Sequence, residues 1–410
     1  PLVTHANSSE ARAELLAQFG EAVYQTPTIH RIPDRDVGPV QAIYYDALDY
    51  AGKPTRVFAY LAIPEVADGK KLPGMVLAHG GGGTAFHTWV KIWYDQGYAS
   101  ISMDLTGHMP EGDSMKRGSA HEFSGPHHTG MFDDQDKPRN EQWMYHAVAD
   151  IMIANSLLRG QETVDETRIG LTGISWGGVI SSLTAGVDDR FVFSAPVYGC
   201  GYLYDSKGYF NRMGAGDDDA ILEKRKYWDP ARFFTDAPMP MLWVNGDNDP
   251  HFSVDTMTRS HLSAGPESTL SIHTKMPHSH SPGWVRESVP EIYVLADHLL
   301  KGQGPGLTRI TQQPQPGEGR TVTLTYATEA PLTEATLYYL DAPLNYVENP
   351  KTKRLDLETQ FAGTPATINA ESKTVTATLP EGCTYYYINL IDDRNAIVSS
   401  NLLRVDGEKL

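Results

Sequence analysis

A chain of 410 residues is longer than one hydrophobic core usually supports, so two structural units are expected. Its 40% hydrophobic and 21% charged residues describe an ordinary globular sequence. A formal net charge of -17 disfavours nucleic acid and anionic membrane surfaces as partners, and no run approaches the roughly 18 apolar residues of a spanning helix, so membrane insertion is not expected. Two cysteines, Cys200 and Cys383, are too few for a disulfide framework or a tetrahedral metal site and read as free buried thiols.

The chain opens at Pro1 with no basic-then-apolar leader, as a processed chain would. Apolar residues recur at three- and four-residue intervals over residues 8–24, which predicts a helix. Two β-rich runs, 40–50 and 55–63, flank an Ala-Gly-Lys-Pro turn and read as a hairpin. Strands are then predicted at 74–78, 99–103, 168–172, 191–196, 239–244 and 269–275. Helices are predicted at 88–96, 141–158, 178–186 and 290–301. This alternation implies a mainly parallel sheet covered on both faces, with the active site at the carboxyl ends of its strands.

Two long irregular insertions, 105–140 and 199–237, are expected to wall the substrate cleft, and Asp217, Asp218 and Asp219 read as a solvated acidic loop. A Gly/Pro-rich linker covers 303–318. Thr/Tyr/Val-rich runs after it predict an antiparallel β-sandwich over 319–410, immunoglobulin-like in size, behind a catalytic domain of 1–302. The tyrosines of this tail, Tyr338, Tyr339 and Tyr385 to Tyr387, suit either a carbohydrate surface or, more simply, sheet packing.

Gly173-Ile174-Ser175-Trp176-Gly177 sits between a predicted strand and a predicted helix. Such a turn exposes a strained serine, with small residues needed two positions to either side, so Ser175 is the expected nucleophile. A serine hydroxyl needs a base, and the base needs a carboxylate to fix its tautomer. Asp249, three residues beyond Gly246 at a strand end, fits the acid better than Asp247, which is expected to bond within its turn. His278 and His280 share the loop after the last strand; His278, nearer the strand, is the expected base and His280 its alternative. His251 reads as a loop histidine at the rim.

His79-Gly80-Gly81-Gly82-Gly83 follows the first core strand and brings bare backbone close to a substrate. The N–H groups of Gly81 and Trp176 are the expected oxyanion donors, with Gly82 the neighbouring option. Asp104 is expected to brace loops by hydrogen bonding. His121, His127, His128, Asp133, Asp134 and Asp136 of the first insertion match no regular ligand spacing, so no metal site is expected.

On His79 to Gly83, Gly173 to Gly177, Gly246 to Asp249 and His278, the sequence resembles the bacterial α/β-hydrolase serine esterases of the acetylxylan esterase and dienelactone-hydrolase-like group, over about residues 40–301. The resemblance implies acyl transfer through an acyl-enzyme, no cofactor, and a small-molecule or polysaccharide ester bearing acetyl or another short acyl group. It also implies an exported enzyme, periplasmic or extracellular. A peptidase of the same fold is the alternative, disfavoured by the lack of a propeller-like repeat. A catalytically inert carbohydrate-binding protein is a further one, disfavoured by the complete set of catalytic residue types.

Overall fold

The computed structural model describes residues 5–112, 114, 116–128, 133–207, 227–265, 267–351 and 353–408, apart from the side chains of residues 5–8. Asp217 to Asp219 lie outside the described residues. The chain divides into two compact units, residues 1–201 with 213–240 and residues 202–212 with 241–410.

In the first unit α1 (His5–Phe19) buries Ala11, Leu15 and Phe19, one every four residues, and passes into a 3-10 turn, Gly20–Tyr24. Strands β1 (Ile29–Arg31), β2 (Gln41–Tyr50), β3 (Lys53–Ala62), β4 (Leu72–Ala78), β5 (Ala99–Met103), β8 (Val164–Ile174) and β9 (Ser194–Val197) lie in the order β1-β2-β3-β5-β4-β8-β9. The hairpin β2–β3 is antiparallel, as its turn predicts, whereas β5, β4, β8 and β9 pair in parallel. Their apolar runs explain this: β5 and nearly all of β4 are buried on both faces, the condition that parallel strands require. Helices α2 (His87–Asp95), α3 (Trp143–Arg159) and α4 (Trp176–Ala185) cover the sheet. Every residue of α3 from Trp143 to Leu158 is buried. The short hairpin of β6 (His108–Pro110) and β7 (Arg117–Ala120) lies within the first insertion and carries no sequence signal of its own.

Register decides where the loops emerge. Ala78 pairs with Met103 and with Gly173, and Ile174 pairs with Val197. The segments beginning at His79, Asp104 and Ser175 therefore leave the sheet side by side.

In the second unit β10 (Met241–Gly246) and β11 (Ser268–His273) form a parallel pair whose register sets Gly246 against His273. Helix α5 (Val254–Ser263), absent from the predicted elements, joins them. Helix α6 (Pro290–Lys301) has the bounds its sequence suggests, because Pro290 starts it and Gly302 stops it at φ 64°.

The tail holds β12 (Arg309–Pro316), β13 (Thr321–Ala327), β14 (Leu332–Leu340), β15 (Tyr346–Glu348), β16 (Leu355–Leu357), β17 (Ala362–Pro365), β18 (Thr367–Asn369), β19 (Thr374–Thr378), β20 (Tyr385–Asp392), β21 (Ile397–Ser399) and β22 (Leu403–Arg404). One sheet runs β12-β13-β19-β18 and the other β17-β14-β20-β21, with β22 beside β20. Alternate residues of both sheets, among them Val322, Leu324, Leu337, Val375, Ile388 and Leu390, form a single core. Cys200 and Cys383 are both buried free thiols.

The tail also closes the edge of β11. Ile272 N–H donates to Ser399 Oγ at 2.7 Å, Asn389 Nδ2 donates to Ile272 O at 2.8 Å, and Ser399 Oγ–H donates to Asn389 Oδ1 at 2.6 Å. All three residues are buried, so every lost bond leaves a polar atom dry. Asn389→Ala is expected to lower the unfolding free energy by about 1–3 kcal/mol in urea titration. An unchanged midpoint would mean that the tail does not brace this strand.

Candidate active site

Ser175 stands between β8 and α4 at φ 57°, ψ −119°, a conformation that residues with a Cβ seldom adopt. Its N–H donates to Val197 O at 2.9 Å, and its carbonyl accepts from Val179 N–H at 2.9 Å, so both neighbouring peptides are fixed. The tightness of the turn explains the motif: a Cβ on Gly177 would sit 2.1 Å from Ala78 O. Trp176 begins α4, where the first N–H groups have no intrahelical acceptor.

The glycine loop follows β4. His79, 1% exposed, accepts Leu105 N–H at Nε2 (2.9 Å), so its proton is on Nδ1, which donates to Gly80 O at 2.7 Å. Burial, opposed in part by Asp104, pushes the His79 pKa down and keeps the ring neutral. Gly83 N–H donates to Gly80 O at 2.8 Å, while the N–H groups of Gly81 and Gly82 have no partner among the described residues. Arg117 of β7 donates through Nε to Gly83 O at 3.0 Å and through Nη2 to Gly81 O. A Cβ on Gly81 would lie 2.3 Å from Trp176 Cδ1, so only glycine lets the loop approach that ring. The Trp176 ring meets Trp143 edge-on at 5.5 Å and His128 at 5.2 Å. Burial lowers the His128 pKa to about 4, leaving an uncharged aromatic wall at neutral pH.

Asp104 Oδ1 accepts from Thr106 N–H (2.7 Å), Thr106 Oγ1 (2.9 Å) and His108 N–H (3.0 Å), which makes it a loop brace. The rings of His108 and His127 lie 4.7 Å apart, and burial lowers the His121 pKa to about 4. Among the described residues no group of three or more His, Cys, Asp or Glu is arranged to hold a metal ion.

In the second unit the Gly246–His273 register sets the loop after β10 beside the loop after β11. Asp249 is fully buried. Its Oδ1 accepts the N–H groups of His251 (2.9 Å) and Phe252 (2.8 Å), and its Oδ2 accepts His278 Nδ1–H at 2.6 Å. That bond leaves His278 Nε2 as the basic nitrogen. His280 is not bonded to Asp249; its ring lies 6.0 Å from that of Trp284. The His251 ring is 4.5 Å from that of His278. Burial first, then the His278 charge, lowers the His251 pKa to about 4.

Asp247 is held differently: Oδ1 accepts Lys275 N–H at 2.9 Å and Oδ2 accepts the Tyr387 hydroxyl at 3.1 Å. The hairpin of β15 and β16 places Tyr346 near Asp255 and Asp249. Burial, then those carboxylates, raises its pKa well above the ordinary phenol value. Arg117 and Tyr346 are not singled out by sequence reading; His79, at the head of the glycine run, and Tyr387, among the tail tyrosines, are named there without these contacts.

The acetyl xylan esterase (AXE1) family matches residues 24–217, and the prolyl oligopeptidase family matches residues 136–299. No curated protein matches. Acetyl xylan esterase 1 from Thermoanaerobacterium sp. JW/SL YS485 superposes with TM-score 0.53 at 15% identity, over 68% of this chain and 90% of that one. An acetyl xylan esterase from Paenibacillus sp. R4 gives 0.50 at 15%, over 68% and 89%. Pyrococcus horikoshii acylaminoacyl peptidase gives 0.51 at 18%, over 66% of this chain and 44% of that one. These structural likenesses show an α/β-hydrolase fold. The two family models each match less than half of the chain.

Burial raises the Asp247 pKa to about 6 from 3.8, against the weaker opposing effect of its hydrogen bonds. The folded protein therefore binds a proton here that the unfolded chain releases between about pH 4 and 6, so this group weakens folding as pH rises through that window. Asp247→Asn is expected to reduce the drop in unfolding free energy between pH 4 and pH 7 by about 2 kcal/mol relative to wild type. Parallel denaturant curves at the two pH values check it; equal drops would refute it.

Proposed function

We propose that this ester hydrolase of the α/β-hydrolase fold works through a triad of Ser175, His278 and Asp249 and an acyl-enzyme intermediate. The observation that carries the reading is the 2.6 Å bond from His278 Nδ1–H to fully buried Asp249, which fixes one tautomer and leaves Nε2 to act as base. Chain order supports it, since serine, aspartate and histidine follow one another as they do in α/β-hydrolases.

In this reading Ser175 Oγ attacks the ester carbonyl while His278 Nε2 accepts its proton. The oxyanion accepts hydrogen bonds from Trp176 N–H and from Gly81 N–H, with Gly82 N–H beside it. His278 then returns the proton to the departing alcohol. Water, deprotonated by the same nitrogen, attacks the acyl carbon and releases the acid and free Ser175 Oγ–H.

The likeness to acetyl xylan esterases favours acetyl or another short acyl group carried by a carbohydrate, and hence an exported enzyme acting on polysaccharide. Among the described residues no helix is long and apolar enough to cross a membrane. The two-sheet tail is proposed to be an immunoglobulin-like sandwich with a bracing role. Tyr386 and Tyr387 are buried in it, which leaves them unavailable to a sugar. The prolyl oligopeptidase match keeps a peptidase of the same fold as the second reading.

Ser175→Ala and His278→Ala are expected to lower hydrolysis of p-nitrophenyl acetate by at least about 10⁴-fold, and His280→Ala by no more than about 3-fold. Rates should fall as the acyl chain lengthens, and aminoacyl p-nitroanilides should be poor substrates. Activity surviving in Ser175→Ala would refute the nucleophile, loss in His280→Ala alone would reassign the base, and preference for anilides would favour the peptidase.

A further inference from the structure

We infer that Arg117 is a positioning residue for ester hydrolysis, aiming a backbone N–H of the glycine loop at the developing oxyanion. The inference rests on the proposed role of that loop. In a trans peptide the C=O of one residue and the N–H of the next point in opposite directions within one plane. Holding a carbonyl oxygen therefore aims the following N–H. His79 Nδ1–H holds Gly80 O at 2.7 Å and so directs the N–H of Gly81. Arg117 Nη2 holds Gly81 O and so directs the N–H of Gly82. Its Nε, on Gly83 O at 3.0 Å, fixes the guanidinium against the far side of the loop. The two N–H groups aimed this way have no partner among the described residues.

The loop needs such clamps because consecutive glycines give their peptide planes little resistance to rotation. A planar guanidinium suits two carbonyls in one loop, whereas an ammonium cannot match the fork. Arg117 does not serve an ion pair: among the described residues no carboxylate lies within 4.0 Å of its guanidinium, although the chain has a net charge of -17. Its positive charge, held behind the peptide dipoles, adds to the field that favours negative charge in front of them.

The test compares wild type, Arg117→Ala, Arg117→Lys and Ser175→Ala on p-nitrophenyl acetate, with rates normalised to sites titrated by a fluorophosphonate. Arg117→Ala is expected to lose about 10- to 100-fold in kcat with KM changed less than about 3-fold, a smaller loss than deleting an oxyanion donor outright. Millimolar guanidinium should restore part of the Arg117→Ala rate, Arg117→Lys should recover only part, and inhibition by a boronic acid should weaken by the same factor as kcat/KM. Wild-type kcat in Arg117→Ala beside an inactive Ser175→Ala overturns the Arg117 role alone. A loss that neither guanidinium nor lysine relieves, matched by a fall in melting temperature, also overturns it. Activity in Ser175→Ala removes the underlying reading and this role with it.

Discussion

A side chain at residue 177 would place its Cβ 2.1 Å from the carbonyl oxygen of Ala78, and the placement of Ser175 in the first unit depends on that close approach. Helix α4 can begin immediately after β8 only because Gly177 lets it lie against the end of β4. This contact holds Ser175 at φ 57° at the carboxyl end of the sheet. It also brings Trp176 under the glycine loop, where the absence of a Cβ on Gly81 is again required. The strain in the serine is opposed by the bonds on either side of it and by the burial of all of α4.

The acid and the histidine obey a different constraint. Asp249 gives up water completely, and three hydrogen bonds to its carboxylate compensate: two backbone N–H groups within its own loop and the imidazole of His278. That loop and the one carrying His278 are in turn braced by the tail. Tyr387 bonds Asp247, Asn389 and Ser399 close the edge of β11, and Tyr346 packs near Asp249. The second unit thus treats the β-rich tail and the last two parallel strands as one packed body. The β-rich tail thus supports the loops that carry Asp249 and His278, through residues that are themselves buried.

Neutrality is the common electrostatic feature of the histidines around these loops. Burial lowers the pKa of His79, His121, His128 and His251, so at neutral pH they act as uncharged donors, acceptors and aromatic surfaces. The chain carries a formal net charge of -17, and Arg117 is held at the glycine loop on main-chain carbonyls. An arrangement of this kind concentrates positive potential beside the glycine loop, where the proposed acyl transfer would generate an anion.

The sequence by itself determined the alternation of strand and helix, the parallel core, the β-rich tail, and Ser175 with its glycine loop. Each of these rests on local causes: apolar run length, turn chemistry, and glycines where backbone must approach backbone. Asp249 and His278 were legible as candidates because fold order restricts where an acid and a base can stand. Sequence position already preferred His278 to His280 as the residue nearer the strand end, and the tertiary structure added its bond to Asp249. Helix α5, the β6–β7 hairpin, and the roles of His79, Arg117, Tyr346 and Tyr387 came only with the tertiary structure. The significance of Arg117 and Tyr387 lies in hydrogen bonds between residues 34 to 140 positions apart, Arg117 to Gly83 and Tyr387 to Asp247, and no periodicity or short motif encodes a contact at that separation.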